Sequence, residues 1–168
     1  MWFAMELCSA TTRAWEIMLP ATTGTQTCVD WPIQVLLVED DFESAELVQI
    51  GLNDASDQQF RVEWSPNLLH AMTRLCEPGI EVVLLDLGLP ELHGYRSFRA
   101  IESVAGNRLP IVILTSDESS LSKELTLGFG ASDYLLKNRS SNGQLRDALL
   151  NAVRSGRPPS DATREGEN

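Results

Sequence analysis

Four consecutive apolar residues, Val82 to Leu85, are followed at once by a single carboxylate, Asp86. A short unbroken apolar run of this kind is typical of a strand buried on both faces in a parallel sheet. Gly88 and Pro90 then predict a loop, so Asp86 lies where the strand leaves the sheet, at the end where open α/β sheets bind ligands. A charge there needs a partner or a cation. Taken alone, Asp86 could equally be a solvated turn residue, so the rest of the chain has to decide.

Strand patterns and helix patterns alternate along most of the chain. The predicted strands are Ile33–Val38, Phe60–Trp64, Val82–Leu85, Leu109–Leu114 and Tyr134–Leu136. The predicted helices cover residues 42–53, 68–76 and 95–105, a segment around Leu121 and Leu125, and residues 145–153. Five strands that alternate with five helices predict an α/β fold, a doubly wound five-stranded parallel sheet with helices on both faces.

The length of 168 residues suits one domain with extensions. We expect the domain to cover residues 32–154. Residues 1–31 have no clear period and are expected to form a poorly ordered N-terminal extension, although their apolar residues could line a short amphipathic helix. Residues 155–168 contain two prolines and mixed charges, and we expect a disordered C-terminal tail.

Composition limits the partners and the compartment. The formal net charge of -11 gives no basic surface for nucleic acid and argues against anionic membranes. Cys8, Cys28 and Cys76 are scattered and form no CxxC pair, as expected for reduced cysteines. No stretch is long and apolar enough to span a membrane, and the first twenty residues lack the basic start of a secretory signal. We therefore expect a cytoplasmic protein.

Polar residues follow four of the five predicted strands. They are the pair Asp40 and Asp41, then Asp86, Thr115 and Lys137. The carboxyl ends of the strands share one edge of a doubly wound sheet, so these side chains are expected to meet. Three neighbouring carboxylates repel one another, and Mg²⁺ relieves that repulsion because it prefers hard oxygen ligands and keeps open positions for phosphate.

The same groups suit phosphoryl transfer. Lys137 supplies a point charge for one phosphoryl oxygen, and the hydroxyl of Thr115 can donate to another. One carboxylate is then free to act as a nucleophile. Phosphoryl transfer asks a protein mainly for positioning and charge neutralisation, and this set of residues offers both.

Four stretches carry a resemblance to a known family. They are Val-Glu-Asp-Asp at 38–41, Asp-Leu-Gly-Leu-Pro-Glu-Leu-His-Gly at 86–94, Ile-Leu-Thr-Ser at 113–116 and Gly-Ala-Ser-Asp-Tyr-Leu-Leu-Lys at 130–137. Together and in this order they resemble the receiver domain of two-component response regulators, the CheY-like superfamily. The resemblance covers residues 33–154 and implies a flavodoxin-like sheet with strand order 2-1-3-4-5.

The resemblance implies a phosphoacceptor site. Asp86 would accept a phosphoryl group from a phosphohistidine on a sensor histidine kinase or a phosphotransfer protein. Mg²⁺ would be bound directly by Asp41, mainly through water by Asp40, and by Asp86 and the backbone carbonyl of Gly88. A domain of this kind is a signalling module that catalyses its own phosphorylation and dephosphorylation, and is not classed as an enzyme.

The resemblance also implies a switch. Lys137 would pair first with Asp86 and then with its phosphoryl group, Thr115 would swing to a phosphoryl oxygen, and Tyr134 would turn inward. The surface formed by the fourth helix, fifth strand and fifth helix would then change its preference for a downstream protein, or form a homodimer. No output domain and no DNA-binding helix pair follow, so we expect a stand-alone receiver without direct nucleic-acid contact.

Two residues depart from the family pattern. Asn138 stands where the family usually has a proline after the lysine, so no cis peptide is expected, and the loop from Asn138 to Gly143 is expected to hold Lys137 differently. Leu89 replaces the commoner methionine with a side chain of similar volume.

Each candidate also has a structural alternative. Asp40 could be a helix N-cap, Thr115 a strand-end hydroxyl, Lys137 a solvated turn residue and Tyr134 ordinary strand packing. Glu39 is interpreted as a neighbouring charge that strengthens the acidic cluster. The two histidines are not assigned as phosphodonors: His70 is expected at the surface, and a loop or cap role is expected for His93.

Three other functions compete. A phosphatase of the haloacid dehalogenase type needs a second acid two residues after the nucleophile, where this chain has Gly88. A flavin carrier needs a phosphate-binding loop after the first strand, where Glu39–Asp41 would repel phosphate. A receiver fold that works without phosphorylation is the third alternative, and the departure at Asn138 keeps it open.

Overall fold

The computed structural model describes residues 32–53 and 59–156, apart from the side chain of Asn107. Its strands are β1 (Ile33–Val38), β2 (Phe60–Ser65), β3 (Val82–Leu85), β4 (Ile111–Thr115) and β5 (Asp133–Leu136). Its helices are α1 (Phe42–Asn53), α2 (Leu68–Leu75), α3 (Tyr95–Ala105), α4 (Ser120–Gly128) and α5 (Asn142–Ser155), with a short 3₁₀ turn at Gly106–Arg108. The predicted extension 1–31 and the tail from residue 157 lie outside the described residues.

The five strands form one parallel sheet in the order β2-β1-β3-β4-β5. The predicted doubly wound fold and its strand order 2-1-3-4-5 are therefore confirmed. The direction of winding reverses between β1 and β3, and this topological switch point is the place where such sheets bind ligands. β1 and β3 bring the acidic residues after Val38 and Leu85 to that point.

Alternate residues of the central strands serve two separate cores. On one face the odd positions of β1, such as Val35, and the even positions of β3, such as Leu84, pack against α1 and α5. On the other face Leu36 and Leu85 pack against α2 and α3 around Phe98, which is fully buried. This double burial explains why β3 is an unbroken apolar run.

The boundaries differ from the predictions by one or two residues. β4 begins at Ile111 and not at Leu109, because the 3₁₀ turn precedes it and Pro110 has no N–H to donate to a ladder. Ser155, assigned to the tail from the sequence, is the last residue of α5, which begins with a capping box between Ser141 and Gln144. In the part of the chain described here, no helix is long and apolar enough to cross a membrane.

Two leucines of α2 test the burial of this helix directly. Leu75 is 2% exposed and Leu69 is 76% exposed. We expect Leu75→Ala to lower the free energy of unfolding by about 2–5 kcal/mol, because it leaves a cavity in the core. The matched control Leu69→Ala removes the same atoms from a solvated position and is expected to change stability by less than about 0.5 kcal/mol. Urea unfolding measures both, and equal losses would contradict the packing of α2.

Candidate functional site

The register of the sheet places two acids side by side. Val38 pairs with Leu85 across β1 and β3, so the next residues, Glu39 and Asp86, leave neighbouring strands at the same level. The backbone N–H of Asp86 donates to the carbonyl of Val38 at 3.0 Å. The acids therefore meet because the backbone ladder brings them together.

Lys137 joins these two acids from the end of β5. Its backbone N–H donates to the carbonyl of Thr115 at 3.0 Å, which fixes the residue beside the end of β4. Its Nζ donates to Oδ2 of Asp86 at 2.7 Å and to Oε2 of Glu39 at 2.5 Å. The side chains are 9% exposed for Asp86, 2% for Glu39 and 19% for Lys137, so one ammonium is shared by two carboxylates in a largely buried site.

The pKa values of Glu39 and Lys137 are both shifted in this site. Burial raises the pKa of Glu39 above its ordinary value, and the hydrogen bond from Lys137 offsets only part of that rise. Burial alone would lower the pKa of Lys137, but the hydrogen bonds to Asp86 and Glu39 outweigh it and the pKa is raised. Lys137 therefore remains an ammonium beside its acids, while the site holds more negative charge than one ammonium can balance.

A third carboxylate completes an oxygen-rich cluster. Glu39, Asp40 and Asp86 each offer an oxygen within 4.8 Å of the others. Asp40 is exposed whereas the other two are buried, so the cluster is open on one side. Carboxylate oxygens at a partly open position are the donor set that a hard divalent cation such as Mg²⁺ prefers. The residues present therefore fit such an ion.

Asp41, predicted from the sequence as the direct metal ligand, is not part of this cluster. It is the residue before α1, and its Oδ1 accepts the N–H of Ser44 at 2.8 Å as a helix N-cap. One oxygen of its carboxylate therefore caps the helix. The two acids after β1 that belong to the cluster are Glu39 and Asp40, one residue earlier than the predicted pair Asp40 and Asp41. The helix N-cap that the sequence suggested for Asp40 is made by Asp41. The pairing of Val38 with Leu85 identifies Glu39, because Glu39 and Asp86 are the first residues after these two strands.

Thr115 and Tyr134 meet on the backbone of Asp117, a residue that the sequence reasoning missed. The buried Thr115 hydroxyl accepts the N–H of Asp117 at 3.2 Å. Tyr134 is turned inward, 7% exposed, and its hydroxyl donates to the carbonyl of Asp117 at 2.7 Å. Within the described residues, the Thr115 hydroxyl makes no hydrogen bond to Asp86 or Lys137. The β4–α4 loop thus connects the threonine to the tyrosine.

Gly88 lies against the carboxylate of Asp86. Its backbone N–H donates to Oδ1 of Asp86 at 2.9 Å, so both carboxylate oxygens of Asp86 have donors. A Cβ at position 88 would lie only 3.3 Å from Oδ2 of Asp86. The glycine therefore leaves free space beside the carboxylate.

Side chains tie the turn after Lys137 to the β4–α4 loop. Nδ2 of Asn138 donates to Oε1 of Glu118 at 3.3 Å, and Arg139 donates to Oε2 of Glu118 at 2.8 Å. The described residues contain no cis peptide bond, as expected for asparagine at this position. This turn is held by hydrogen bonds where a proline would restrict the backbone.

The two histidines take no part in the cluster. His93 is exposed in the segment before α3. His70 is exposed on α2, as predicted, and its Nδ1 lies 2.7 Å from the hydroxyl of Ser65. Neither position brings an imidazole into the set of groups around Lys137.

Comparison with protein families and curated proteins gives one consistent match. The model of the response regulator receiver domain matches residues 35–150. The probable transcriptional regulatory protein SilR of Salmonella typhimurium is 31% identical over 105 residues, which are 62% of this chain and 44% of that protein. The CpxR homolog of Haemophilus influenzae is 35% identical over 104 residues, 62% of this chain and 43% of its own length. The chain thus spans less than half the length of these relatives.

Solved structures share the fold. A receiver domain from Methanospirillum hungatei has a TM-score of 0.65 at 16% identity and covers 75% of this chain and 97% of that one. A response regulator from Burkholderia pseudomallei, solved with a phosphorylated aspartic acid, a calcium ion and citrate, has a TM-score of 0.61 at 20% identity. It covers 73% of this chain and 69% of that one.

The buried phenol of Tyr134 has a measurable signature. Burial, followed by the charges of Asp117 and Asp86, raises its pKa to about 12. We expect the phenolate absorbance of the wild type to include a step near this value that Tyr134→Phe removes and the control Tyr95→Phe keeps. Because the neutral phenol is favoured in the folded state, its stabilising contribution is full below about pH 10 and is lost as the pH rises towards about 12. If Tyr134 instead ionised at the ordinary tyrosine pKa of about 10, its burial would be contradicted.

Proposed function

The chain belongs to the response regulator receiver domain family, and from this premise we propose that Asp86 is its phosphoacceptor. The phosphoryl group would come from a phosphohistidine on a sensor histidine kinase or a phosphotransfer protein. The observation that carries the proposal is the pairing of Lys137 with both Asp86 and Glu39 at the switch point of the sheet.

The chemistry follows from these groups. A carboxylate oxygen of Asp86 attacks phosphorus, a P–O bond forms, and the P–N bond of the phosphohistidine breaks. The imidazole nitrogen leaves with the electron pair and is protonated. Lys137 already bonds Oδ2 of Asp86 and is placed to neutralise charge on the transferred group. The space beside Gly88 leaves room for that group next to the carboxylate.

We assign the cation ligands to Glu39, Asp40 and Asp86, with the backbone carbonyl of Gly88 as a further ligand. Bound Mg²⁺ would neutralise the acidic cluster and the phosphoryl oxygens. In this assignment Asp40 binds from the open side of the cluster, and Glu39 binds while it keeps its contact with Lys137. The Burkholderia neighbour was solved with a divalent cation, calcium, and a phosphorylated aspartic acid, which are the two kinds of group that we propose for this site.

Phosphorylation would be communicated through Asp117. If Thr115 turns its hydroxyl to a phosphoryl oxygen, it gives up the N–H of Asp117, and Asp117 is also the acceptor for Tyr134. Lys123 of α4 has its Nζ 6.0 Å from the centre of the Tyr134 ring, so the change reaches α4. We propose that the surface of α4, β5 and α5 shifts between two populations and binds its downstream protein in one of them.

The domain boundaries and the partners are part of this proposal. We take residues 32–154 as the receiver and the flanking segments as extensions, with the phosphodonor as one partner and a downstream protein, or a second copy through α4, β5 and α5, as the other. The relatives are named as transcriptional regulators and are more than twice as long as the match, so their output is not transferred to this chain. Direct nucleic-acid contact is not proposed for an acidic receiver, and cytoplasmic location stays a prediction.

Phosphorylation of Asp86 can be tested with acetyl phosphate. Incubation with acetyl phosphate and Mg²⁺ is expected to add one phosphoryl group to the wild type, and Asp86→Asn is expected to gain none. The control Asp147→Asn changes an exposed carboxylate of α5 and should be labelled like the wild type. Intact-mass spectrometry measures all three. A wild type that stays unlabelled, while a known receiver is labelled in parallel, would favour a phosphorylation-independent role.

The assignment of the metal ligands can be tested on three neighbouring acids. We expect Glu39→Gln and Asp40→Asn each to weaken Mg²⁺ binding by about tenfold or more, because each loses a charged ligand. The control Asp41→Asn alters the helix cap only and is expected to change the Mg²⁺ dissociation constant by less than about threefold. Isothermal titration calorimetry gives the constants. A larger loss for Asp41→Asn than for Glu39→Gln would return the ligand role to Asp41.

A further inference from the structure

The indole of Trp64 bonds the backbone of the acidic turn. Nε1 of Trp64, on β2, donates to the carbonyl oxygen of Glu39 at 2.8 Å. The N–H of Glu39 donates in turn to the carbonyl of Ser65 at 3.1 Å. Two successive residues of β2 therefore hold both polar groups of the Glu39 backbone. The side chain that ion-pairs with Lys137 starts from a backbone position fixed by the edge strand.

The ring of Trp64 also contacts the other end of the same turn. Its edge meets the ring of Phe42, with centroids 5.6 Å apart and an angle of 65° between the planes. Phe42 is the first residue of α1 and is 61% exposed, so little else packs on its ring. The two contacts therefore flank the turn Glu39–Asp41, which contains the two acids after β1 that belong to the cluster, Glu39 and Asp40.

Among the described residues, the carbonyl of Glu39 accepts its hydrogen bond from the indole of Trp64. Glu39 follows the last residue of β1 and precedes α1, so neither a strand ladder nor a helix supplies a partner. A buried carbonyl without a donor costs free energy. The turn would relax towards water if the indole were lost, and the carboxylates of Glu39 and Asp40 would move with it.

We propose that Trp64 is a positioning residue that holds the Glu39–Asp41 turn in the geometry required for cation binding. The inference rests on the proposed function for its consequence, because the cation is the ligand of that site. It adds a residue that touches neither cation nor phosphoryl group and acts through the backbone of Glu39. An aromatic residue in a strand is expected from packing alone, but packing does not require its N–H to meet this carbonyl.

The test compares three variants of the full chain. Trp64→Phe keeps an aromatic ring and removes the N–H, Phe42→Leu removes the ring contact and keeps the N–H, and Val62→Ala weakens the same strand on the same face without touching Glu39. We expect Trp64→Phe to raise the Mg²⁺ dissociation constant about threefold to tenfold, as for one lost hydrogen bond. The N–H groups of Glu39 and Asp41 donate to Ser65 and to the Glu39 carboxylate, and their amide exchange, measured by NMR, should accelerate by a similar factor. Phe42→Leu and Val62→Ala should change either quantity less than about twofold.

The outcomes separate this inference from the proposed function. If the wild type binds Mg²⁺ but Trp64→Phe and Val62→Ala show equal affinity and equal amide exchange, the positioning role of Trp64 is overturned. If the wild type binds no Mg²⁺, the proposed function fails, and the amide exchange at Glu39 and Asp41 still decides whether Trp64 holds the turn. Accelerated exchange in Trp64→Phe alone supports the role, and unchanged exchange rejects it.

Discussion

One ammonium placed between two buried carboxylates is the interaction on which the site depends. Taking charges out of water is costly, and a buried ion pair recovers that cost only with good geometry and further hydrogen bonds. Lys137 meets these conditions because its Nζ reaches Glu39 and Asp86 at short distance, while Gly88 donates to the other oxygen of Asp86. The arrangement still holds one buried carboxylate more than it holds ammonium groups. That imbalance leaves net negative charge at the position where we propose that Mg²⁺ binds.

The backbone of the sheet makes this arrangement possible. β1 and β3 end at the same level, so Glu39 and Asp86 need no unusual loop to approach each other. β4 and β5 also end together, with Thr115 opposite Leu136, and this brings Lys137 alongside from the other half of the sheet. The strand order places β3 between β1 and β4. A different strand order would separate Glu39, Asp86 and Lys137, so the proposed chemistry depends on this topology.

The sequence predicted the elements well because their signals are local. α1 was predicted at its observed limits, and the apolar run Val82–Leu85 is the whole of β3. The sequence alone does not distinguish Glu39 from Asp41 as a ligand, because three adjacent acids carry the same chemistry and only the register against β3 separates them. The contact of Trp64 with Glu39 and that of Tyr134 with Asp117 end on backbone carbonyls, 25 and 17 residues away. No residue type at the acceptor position encodes such bonds, so the sequence could not reveal them.

In the proposed switch, the backbone of Asp117 would connect the site to the surface of α4, β5 and α5. Asp117 offers its N–H to Thr115 and its carbonyl to Tyr134, so one peptide segment takes part in both contacts whatever its side chain. The next residue, Glu118, holds Asn138 and Arg139 after Lys137. The ion pair between Arg139 and Glu118 is exposed, and pairs of that kind contribute little to stability. A weak link between the two loops is consistent with a switch, because a rearrangement that breaks it costs little free energy. The buried hydrogen bond from Tyr134 to the carbonyl of Asp117 is then the main contact that either moves with Asp117 or breaks when Thr115 changes its partner.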